Sequence, residues 1–447
     1  MEDTIAAIST ALGVGAISII RVSGSEAIKI VDKIFDQDIL NAPSHTIHYG
    51  HITSNDKIID EVLVSVMLAP KTFTTENVVE INCHGGITTT NKVLELILNN
   101  GARLAEPGEF TKRAFLNGRI DLTQAEGVMN LIEAKSDKSR EMSINQLTGS
   151  VSNVISKIRT DLVNIISNIE VNIDYPEYED IEVLTNEKIL PNINKVKIEL
   201  TKAIKNAENG KLLNMGIKIG IIGKPNVGKS SLLNALIEEN KAIVTNIEGT
   251  TRDIVEGDFL LNGIACHVID TAGIRETEDI VEKLGVDKSL AIIEDADLII
   301  FMLNNNEELT ENEKELLNKI KNKKHIVVIN KIDLNNKLVI DDQNLIRISI
   351  KDNIGLDKLK DKITEMFNLG EITTDDMTYL SDARSISLLK KALNIIDDSI
   401  NNLENGTPID IVEMDLKTCW NTLGEIIGET YTDELIDEIF SRFCLGK

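Results

Sequence analysis

The sequence predicts a multidomain chain of mixed α/β and α+β class. A P-loop α/β domain is inserted into an all-helical domain, and an α+β domain precedes both. Three observations carry this expectation. Short apolar runs separated by turns fill residues 1–118. Apolar residues at helical spacing dominate residues 119–215 and return in 371–447. An apolar run ending in a glycine-rich turn opens residues 216–370. A chain of 447 residues is too long for one core, and roughly two to four domains are expected.

In chain order, Ala16-Ile-Ser-Ile-Ile-Arg-Val22, Glu61-Val-Leu-Val-Ser-Val-Met67 and Asn77-Val-Val-Glu-Ile-Asn82 read as strands, with helical stretches between them. Leu162, Ile165, Ile166 and Ile169 mark one helix, which Tyr175-Pro176 breaks. Ile193, Val196, Leu200 and Ile204 mark another. Helical periodicity resumes after Ser381, so both flanks of the α/β domain belong to one bundle. No apolar run reaches the roughly 18 residues of a membrane span, and Met1-Glu-Asp-Thr4 has no basic leader character. The four cysteines, Cys83, Cys266, Cys419 and Cys444, are far apart, which excludes a Cys-x-x-Cys zinc site and fits a reducing cytoplasm. The net charge of −25 argues against wrapping nucleic acid by global electrostatics. Residues 375–447 hold fifteen Asp/Glu against six Lys/Arg, which is a solvated face or a dock for a basic partner.

The inserted domain carries the chemistry. Ile217-Lys-Ile-Gly-Ile-Ile222 leads into Gly223-Lys-Pro-Asn-Val-Gly-Lys-Ser230, a strand, phosphate loop and helix start. Glycines let the loop N–H groups turn inward, and the helix N-terminus adds positive potential. Asn226, Val227, Gly228, Lys229, Ser230 and Ser231 form the cradle. Lys229 reaches the β/γ-phosphates and Ser230 offers a hydroxyl to magnesium. Asn330-Lys331-Ile-Asp333 follows the apolar run Ile326–Ile329, so a second strand end brings it to the same sheet edge. The two carboxylate oxygens of Asp333 match the N1–H and N2–H2 of guanine, whereas adenine offers a lone pair at N1. The nucleotide is therefore GTP. Between the two motifs, Asp270-Thr271-Ala272-Gly273 orients magnesium through water and contacts the γ-phosphate. Thr245, Asn246, Ile247, Glu248, Gly249, Thr250 and Thr251 lie upstream, Thr251 supplying a second magnesium hydroxyl. Ser349-Ile-Lys351 sits where a base-supporting turn belongs. These ordered elements predict a Ras-like P-loop G domain.

Ile274 follows Gly273, where Ras-type enzymes carry a glutamine that orients the attacking water. Catalysis must draw on other groups. Asn226 is an uncharged oxygen donor for a monovalent cation beside the β/γ-phosphates, and Glu282 is an acidic candidate for positioning the water. Arg252 and Arg275 are either catalytic or surface arginines of switch loops.

The chain ends Phe443-Cys-Leu-Gly-Lys447, and a G domain followed by a helical tail with this terminus resembles the MnmE (TrmE) family of tRNA-modifying GTPases. Asp3-Thr-Ile-Ala-Ala-Ile8, Ile19-Ile-Arg-Val-Ser-Gly24, Cys83-His-Gly-Gly86, Pro107-Gly-Glu-Phe110 and Arg113-Ala-Phe-Leu-Asn-Gly-Arg-Ile-Asp-Leu-Thr-Gln-Ala-Glu126 agree with it. Gly249-Thr-Thr-Arg-Asp253 and Asp270-Thr-Ala-Gly-Ile-Arg275 are its more specific marks. The resemblance implies a potassium-activated GTPase that dimerises through residues 1–118. It also implies a flavoprotein partner, MnmG (GidA), possibly assembled as a heterotetramer, with which C5 of the wobble uridine of certain tRNAs is modified. A folate, 5-formyltetrahydrofolate or a relative, is implied for the N-terminal domain. By the same resemblance Asn226 holds potassium with main-chain atoms of Thr245, Ile247 and Thr250, while Ser230 and Thr251 hold magnesium. Folate contacts fall on Arg21, Glu80, Arg119 and Lys447. Arg or Lys pairs with the folate carboxylate, and Glu80 accepts from the pterin. Ala11-Leu-Gly-Val-Gly15 departs from relatives in lacking a proline pair, and Arg119 replaces a common lysine by a planar fork. Cys444 is either a nucleophile toward a uridine ring carbon or a free thiol near the chain end. A GTPase switch in ribosome assembly shares the G-domain motifs. Such relatives usually carry a basic module after the G domain, whereas the segment here is acidic.

Glu282→Ala is expected to lower the GTP turnover number by roughly 100-fold or more, the usual scale of a positioned acid or base. GTP affinity should be nearly unchanged. A wild-type rate in saturating potassium would make Glu282 a surface residue.

Overall fold

A computed structural model describes residues 3–174, 186–239, 257–269, 290–367, 369, 380, 382–443 and 445–446. The N-terminal unit is built on a sheet of six strands: β1 Ile5–Ile8, β2 Ile17–Ser23, β3 Thr46–Ser54, β4 Lys57–Met67, β5 Val78–His84 and β6 Arg103–Leu104. Their order is β3-β4-β5-β2-β1-β6, antiparallel except for the β1–β6 pair. Asn55 and Asp56, at φ 49° and 60°, close the β3–β4 hairpin, a two-residue turn that requires left-handed conformations at both positions. Alternation sends Val62, Val64 and Val66 of β4 into the core, against Val93 and Ile97 of the helix Ile87–Asn99.

Two helices before the inserted domain and two after it share one core. Ser150–Asp174 packs against Ile409–Ile427, and Asn186–Met215 packs against Ala383–Glu404. Leu162, Ile165, Ile166 and Ile169 fall on one buried stripe, as their spacing demands. Ile193, Val196 and Leu200 do the same on the second helix, with Ile204 partly buried. The break expected at Tyr175-Pro176 lies outside the described residues. Cys83, Cys266 and Cys419 are buried free thiols, and burial pushes Cys266 and Cys419 up to about 12.

The inserted domain is a second six-stranded sheet: β7 Ile217–Gly223, β8 Asp258–Leu261, β9 Ile264–Ile269, β10 Leu298–Asn304, β11 His325–Asn330 and β12 Leu345–Arg347. The order is β12-β11-β10-β7-β9-β8, with only β8 antiparallel. Every residue of β10 and β11 is buried, as expected of parallel strands covered on both faces. After β7 the chain moves to one side of the sheet, and it returns to the other side at β10. The resulting crevice at the carboxyl ends of β7 and β10 is where such sheets bind ligands.

The C-terminal helix Asp433–Ser441 closes on the N-terminal unit. Phe440 and Phe443 pack with Phe115 and Leu122, and a Cβ on Gly108 would sit 2.5 Å from the Phe440 carbonyl. Ser9 donates to the Gly446 carbonyl at 3.1 Å, which holds the end of the tail beside β1. Phe440→Ala, at a side chain only 1% exposed, is expected to cost about 3–5 kcal/mol, read as a lower denaturation midpoint. Leu445→Ala, at a residue 48% exposed, should leave the midpoint unchanged. Equal midpoints for Phe440→Ala and the unsubstituted chain would mean that the tail does not pack as described.

Candidate functional site

Three backbone conformations shape the loop after β7. Gly223 stands at φ 150°, Asn226 at 62° and Gly228 at 101°. A Cβ on Gly223 would meet the Met302 carbonyl of β10 at 2.5 Å, and one on Gly228 would meet Asn330 Nδ2 at 2.5 Å. Only glycine fits either place. The loop then runs into the helix Lys229–Glu239, opened by Lys229, Ser230 and Ser231. Lys229 Nζ donates to the carbonyls of Gly223 and Lys224, both at 2.8 Å, and so spans the loop. Among the described residues its partners are carbonyl oxygens, and burial pulls its ammonium below the usual lysine range. A half-buried cation at a helix N-terminus favours an anion at the loop. Lys224 is held from outside by Glu313 at 2.9 Å.

The second motif is locked to the first. Asn330 Nδ2 donates to the Val227 carbonyl at 2.8 Å, and Lys331 Nζ donates to the Asn226 carbonyl at 2.8 Å. The Ile350 N–H reaches back to Asn330 Oδ1 at 3.4 Å. Ser349 Oγ lies 3.2 Å from Asp333 Oδ1 and 2.9 Å from Asp352 Oδ2, so the Ser349-Ile-Lys351 turn contacts the Asp333 carboxylate. Asn226, Val227, Gly228, Lys229, Asn330, Lys331 and Asp333 are thus gathered at one sheet edge. Ser230 opens the adjoining helix, where its hydroxyl is a hard donor of the kind magnesium takes. Thr245, Asn246, Ile247, Glu248, Gly249, Thr250, Thr251, Arg252, Asp270, Thr271, Ala272, Gly273, Arg275 and Glu282 lie outside the described residues, as do Cys444 and Lys447.

In the N-terminal unit, Arg21 on β2 and Glu80 on β5 are cross-strand partners. Arg21 Nε and Nη2 both contact Glu80 Oε1 at 2.8 Å. Arg119 donates to the Phe73 carbonyl at 2.8 Å, and its guanidinium lies 4.9 Å from the centre of the Phe73 ring. The Arg21 guanidinium lies 5.7 Å from the same ring. Phe73 therefore joins the two arginines, and sequence reasoning missed it. The available signal was a lone aromatic in the polar stretch Lys71-Thr-Phe-Thr-Thr-Glu-Asn77, between two strands. Beside it a cleft of about 590 Å³ is lined by Lys71, Thr75, Asn117 and Arg119 among others.

Comparison with known proteins agrees with this layout. Residues 4–119 match the family model of the GTP-binding protein TrmE N-terminus, and residues 122–444 match that of the MnmE helical domain. The chain belongs to the MnmE family. The tRNA modification GTPase MnmE of Enterococcus faecalis is 50% identical over 457 residues, covering 100% of this chain and 98% of that protein. MnmE of Bacillus mycoides is 51% identical over 455 residues, covering 100% and 99%. MnmE of Staphylococcus aureus strain Newman is 51% identical over 456 residues, with the same coverage. Among solved structures, the G domain of the T. maritima FeoB iron transporter is 29% identical, covering 33% of this chain and 97% of its own, at a TM-score of 0.24. Era in complex with MgGDPNP and a piece of 16S ribosomal RNA is 26% identical, covering 40% and 66%, at a TM-score of 0.25. The family assignment rests on the sequence matches. In this MnmE chain no described helix is long and apolar enough to cross a membrane.

Asp333→Asn is expected to weaken GTP binding and to admit xanthosine triphosphate, because the amide donates to the C2 carbonyl of xanthine. Calorimetry checks it, and unchanged GTP affinity would mean that the base is read elsewhere.

Proposed function

We propose that this chain is a GTP hydrolase that works in tRNA modification, with its turnover dependent on potassium. The observation that carries the GTP reading is the pair of bonds from Asn330 and Lys331 to the phosphate loop, which unites a phosphate cradle and a guanine-matched carboxylate. Support for the tRNA reading comes from relatives named tRNA modification GTPase MnmE at about half identity over the full chain. Lys229 steadies the β/γ-phosphates, while Ser230 and Thr251 hold magnesium. Asn226 holds potassium with main-chain atoms of Thr245, Ile247 and Thr250. When bound, potassium supplies the positive charge that an arginine finger brings to other GTPases. Glu282 positions the water in place of the glutamine that Ile274 replaces, and Arg252 and Arg275 stand by in the same loops.

The N-terminal unit takes a folate of the 5-formyltetrahydrofolate kind. Arg21 holds Glu80 through Oε1 alone, so the carboxylate is fixed as an acceptor for a pterin edge. Arg119, stacked on Phe73, is the cation for a folate carboxylate, and Lys447 is a second candidate cation for it. Two chains pair through residues 1–118, and a flavoprotein of the MnmG type shares the reaction on the wobble uridine in the cytoplasm. Cys444 is either the nucleophile of that reaction or a free thiol near the chain end.

Hydrolysis by the full chain should be many-fold faster in potassium than in sodium, and Asn226→Ala should abolish the difference while retaining GTP binding. Equal turnover in both salts would sink the potassium role. Nucleoside analysis of tRNA from a deletion strain tests the wider reading, and an unaltered wobble uridine would overturn it.

A further inference from the structure

Asn305 stands one residue past β10 and is only 3% exposed. A buried side-chain amide is tolerated where its groups find partners. Four of the five bonds that Asn305 makes run to one short stretch of chain, the loop that carries Asp333. Its N–H donates to the Asn330 carbonyl at 2.9 Å, and its carbonyl accepts from the Lys337 N–H at 2.8 Å and the Leu338 N–H at 3.2 Å. Nδ2 donates to the Leu334 carbonyl at 3.0 Å. The fifth bond holds the side chain itself, since Oδ1 accepts from Arg347 Nη1 of β12 at 3.0 Å.

These bonds enclose Asp333 between its own strand end and Leu338. Apart from Ser349 at the Asp333 carboxylate, the stretch beyond Asp333 has few other anchors. Residues 333–337 are all exposed, and the first anchored side chain after them is Leu338, at 2%. On the near side, the Ile332 N–H donates to the Ile348 carbonyl at 3.3 Å and the Leu334 N–H closes on the Lys331 carbonyl at 2.9 Å. Asp333 is thus held by the Ser349 hydroxyl at its own Oδ1, by the Ile348 carbonyl just past β12 through Ile332, and by Asn305 through the backbone that follows. A carboxylate that must meet N1–H and N2–H2 together tolerates little rotation, because an aim that satisfies one donor alone loses the other.

We infer that Asn305, steadied by Arg347, is a positioning residue for guanine discrimination: it touches no nucleotide and aims Asp333 through the Leu334–Leu338 backbone. The inference rests on the reading of Asp333 as the base reader. A merely structural Asn305 would lower stability and weaken all nucleotides alike. A positioning Asn305 changes the ratio between bases. Inosine keeps N1–H and lacks the N2 amino group, so the preference for GTP over ITP reports how well both oxygens of Asp333 are aimed.

The experiment measures binding of GTP and ITP to the full chain carrying Asn305→Ala, Arg347→Ala or Asp333→Asn, with circular dichroism to confirm folding. Asn305→Ala should lower GTP affinity roughly tenfold, the scale of one displaced buried hydrogen bond, and ITP affinity much less. The GTP:ITP preference should fall accordingly. Arg347→Ala, on the edge strand and outside the core, should move the preference in the same direction, and it keeps the test decisive if Asn305→Ala does not fold. An unchanged preference in the folded Asn305 and Arg347 variants, with a collapsed one in Asp333→Asn, overturns the positioning role alone. An unchanged preference in Asp333→Asn as well overturns the base reading beneath it.

Discussion

The hydrogen bond from Asn330 Nδ2 to the Val227 carbonyl is the contact on which the arrangement of the candidate nucleotide site depends. It crosses from the end of β11, which carries Asn330 and Asp333, to the glycine-rich loop after β7, and it is made in a buried setting where an unpaired amide or carbonyl would be costly. The constraint propagates in both directions. Gly228 must remain glycine because a Cβ there would displace Asn330 Nδ2. On the other side, Asn330 Oδ1 takes the Ile350 N–H, which fixes the turn bearing Ser349 against Asp333. The glycine-rich loop and the Asn330–Asp333 stretch are therefore joined into one bonded unit, although they lie about a hundred residues apart in sequence.

A comparable centre exists in the N-terminal unit, built from charge. The Arg113 side chain is fully buried and meets Asp3 at 2.9 Å, Glu109 at 3.0 Å and Glu76 at 3.1 Å. Burial alone would raise Glu109, yet bonds from Arg103, the Glu106 N–H and Arg113 bring it below the usual carboxylate range. Removing one member of such a set strands a buried charge, which costs far more than a surface pair. The set also holds the loop that carries Phe73. Glu76 takes Ser23 Oγ at 2.7 Å, Ser23 pairs with Thr74 at 2.7 Å, and Asn117 donates to the Thr74 carbonyl at 2.7 Å. The ring shared by Arg21 and Arg119 is thereby positioned from below.

What was legible in the sequence follows from how local each signal is. Leu162, Ile165, Ile166 and Ile169 report a helix because neighbours three and four apart share a face, and the phosphate loop is legible because its glycines and lysine serve one short turn. Strand ends were less so. The run expected at Glu61–Met67 begins at Lys57 in β4, because Lys57 and Ile58 pair with β3 while remaining exposed, and no alternation marks them. The Arg21–Glu80 pair was named as two separate ligands, since only the β2–β5 register brings the two together. Phe73 and Asn305 were not legible, because each acts through contacts far off in sequence.

The inserted domain is less separable than its motifs suggest. Met142, on the helical-domain helix Asp137–Leu147, is fully buried in the same apolar cluster as Ile217, Ile219 and Val268 of β7 and β9. Leu213, at the end of the helix leading into β7, joins it. Polar bonds fix the seat: Ser139 to Asn214 at 3.3 Å, Asn214 to Asn130 at 2.7 Å, and Asn130 to Gln146 at 2.9 Å. Lys135 approaches Asp258 of β8 at 3.7 Å, and Asp258 also meets His267 of β9 at 2.8 Å. In sequence, the β8–β9 hairpin lies between the Gly249-Thr-Thr-Arg-Asp253 and Asp270-Thr-Ala-Gly273 motifs. That hairpin is itself packed against the helical domain. Cutting the chain at 216 would take away Met142 and Leu213 together, so the domain boundary drawn by motifs crosses a shared core.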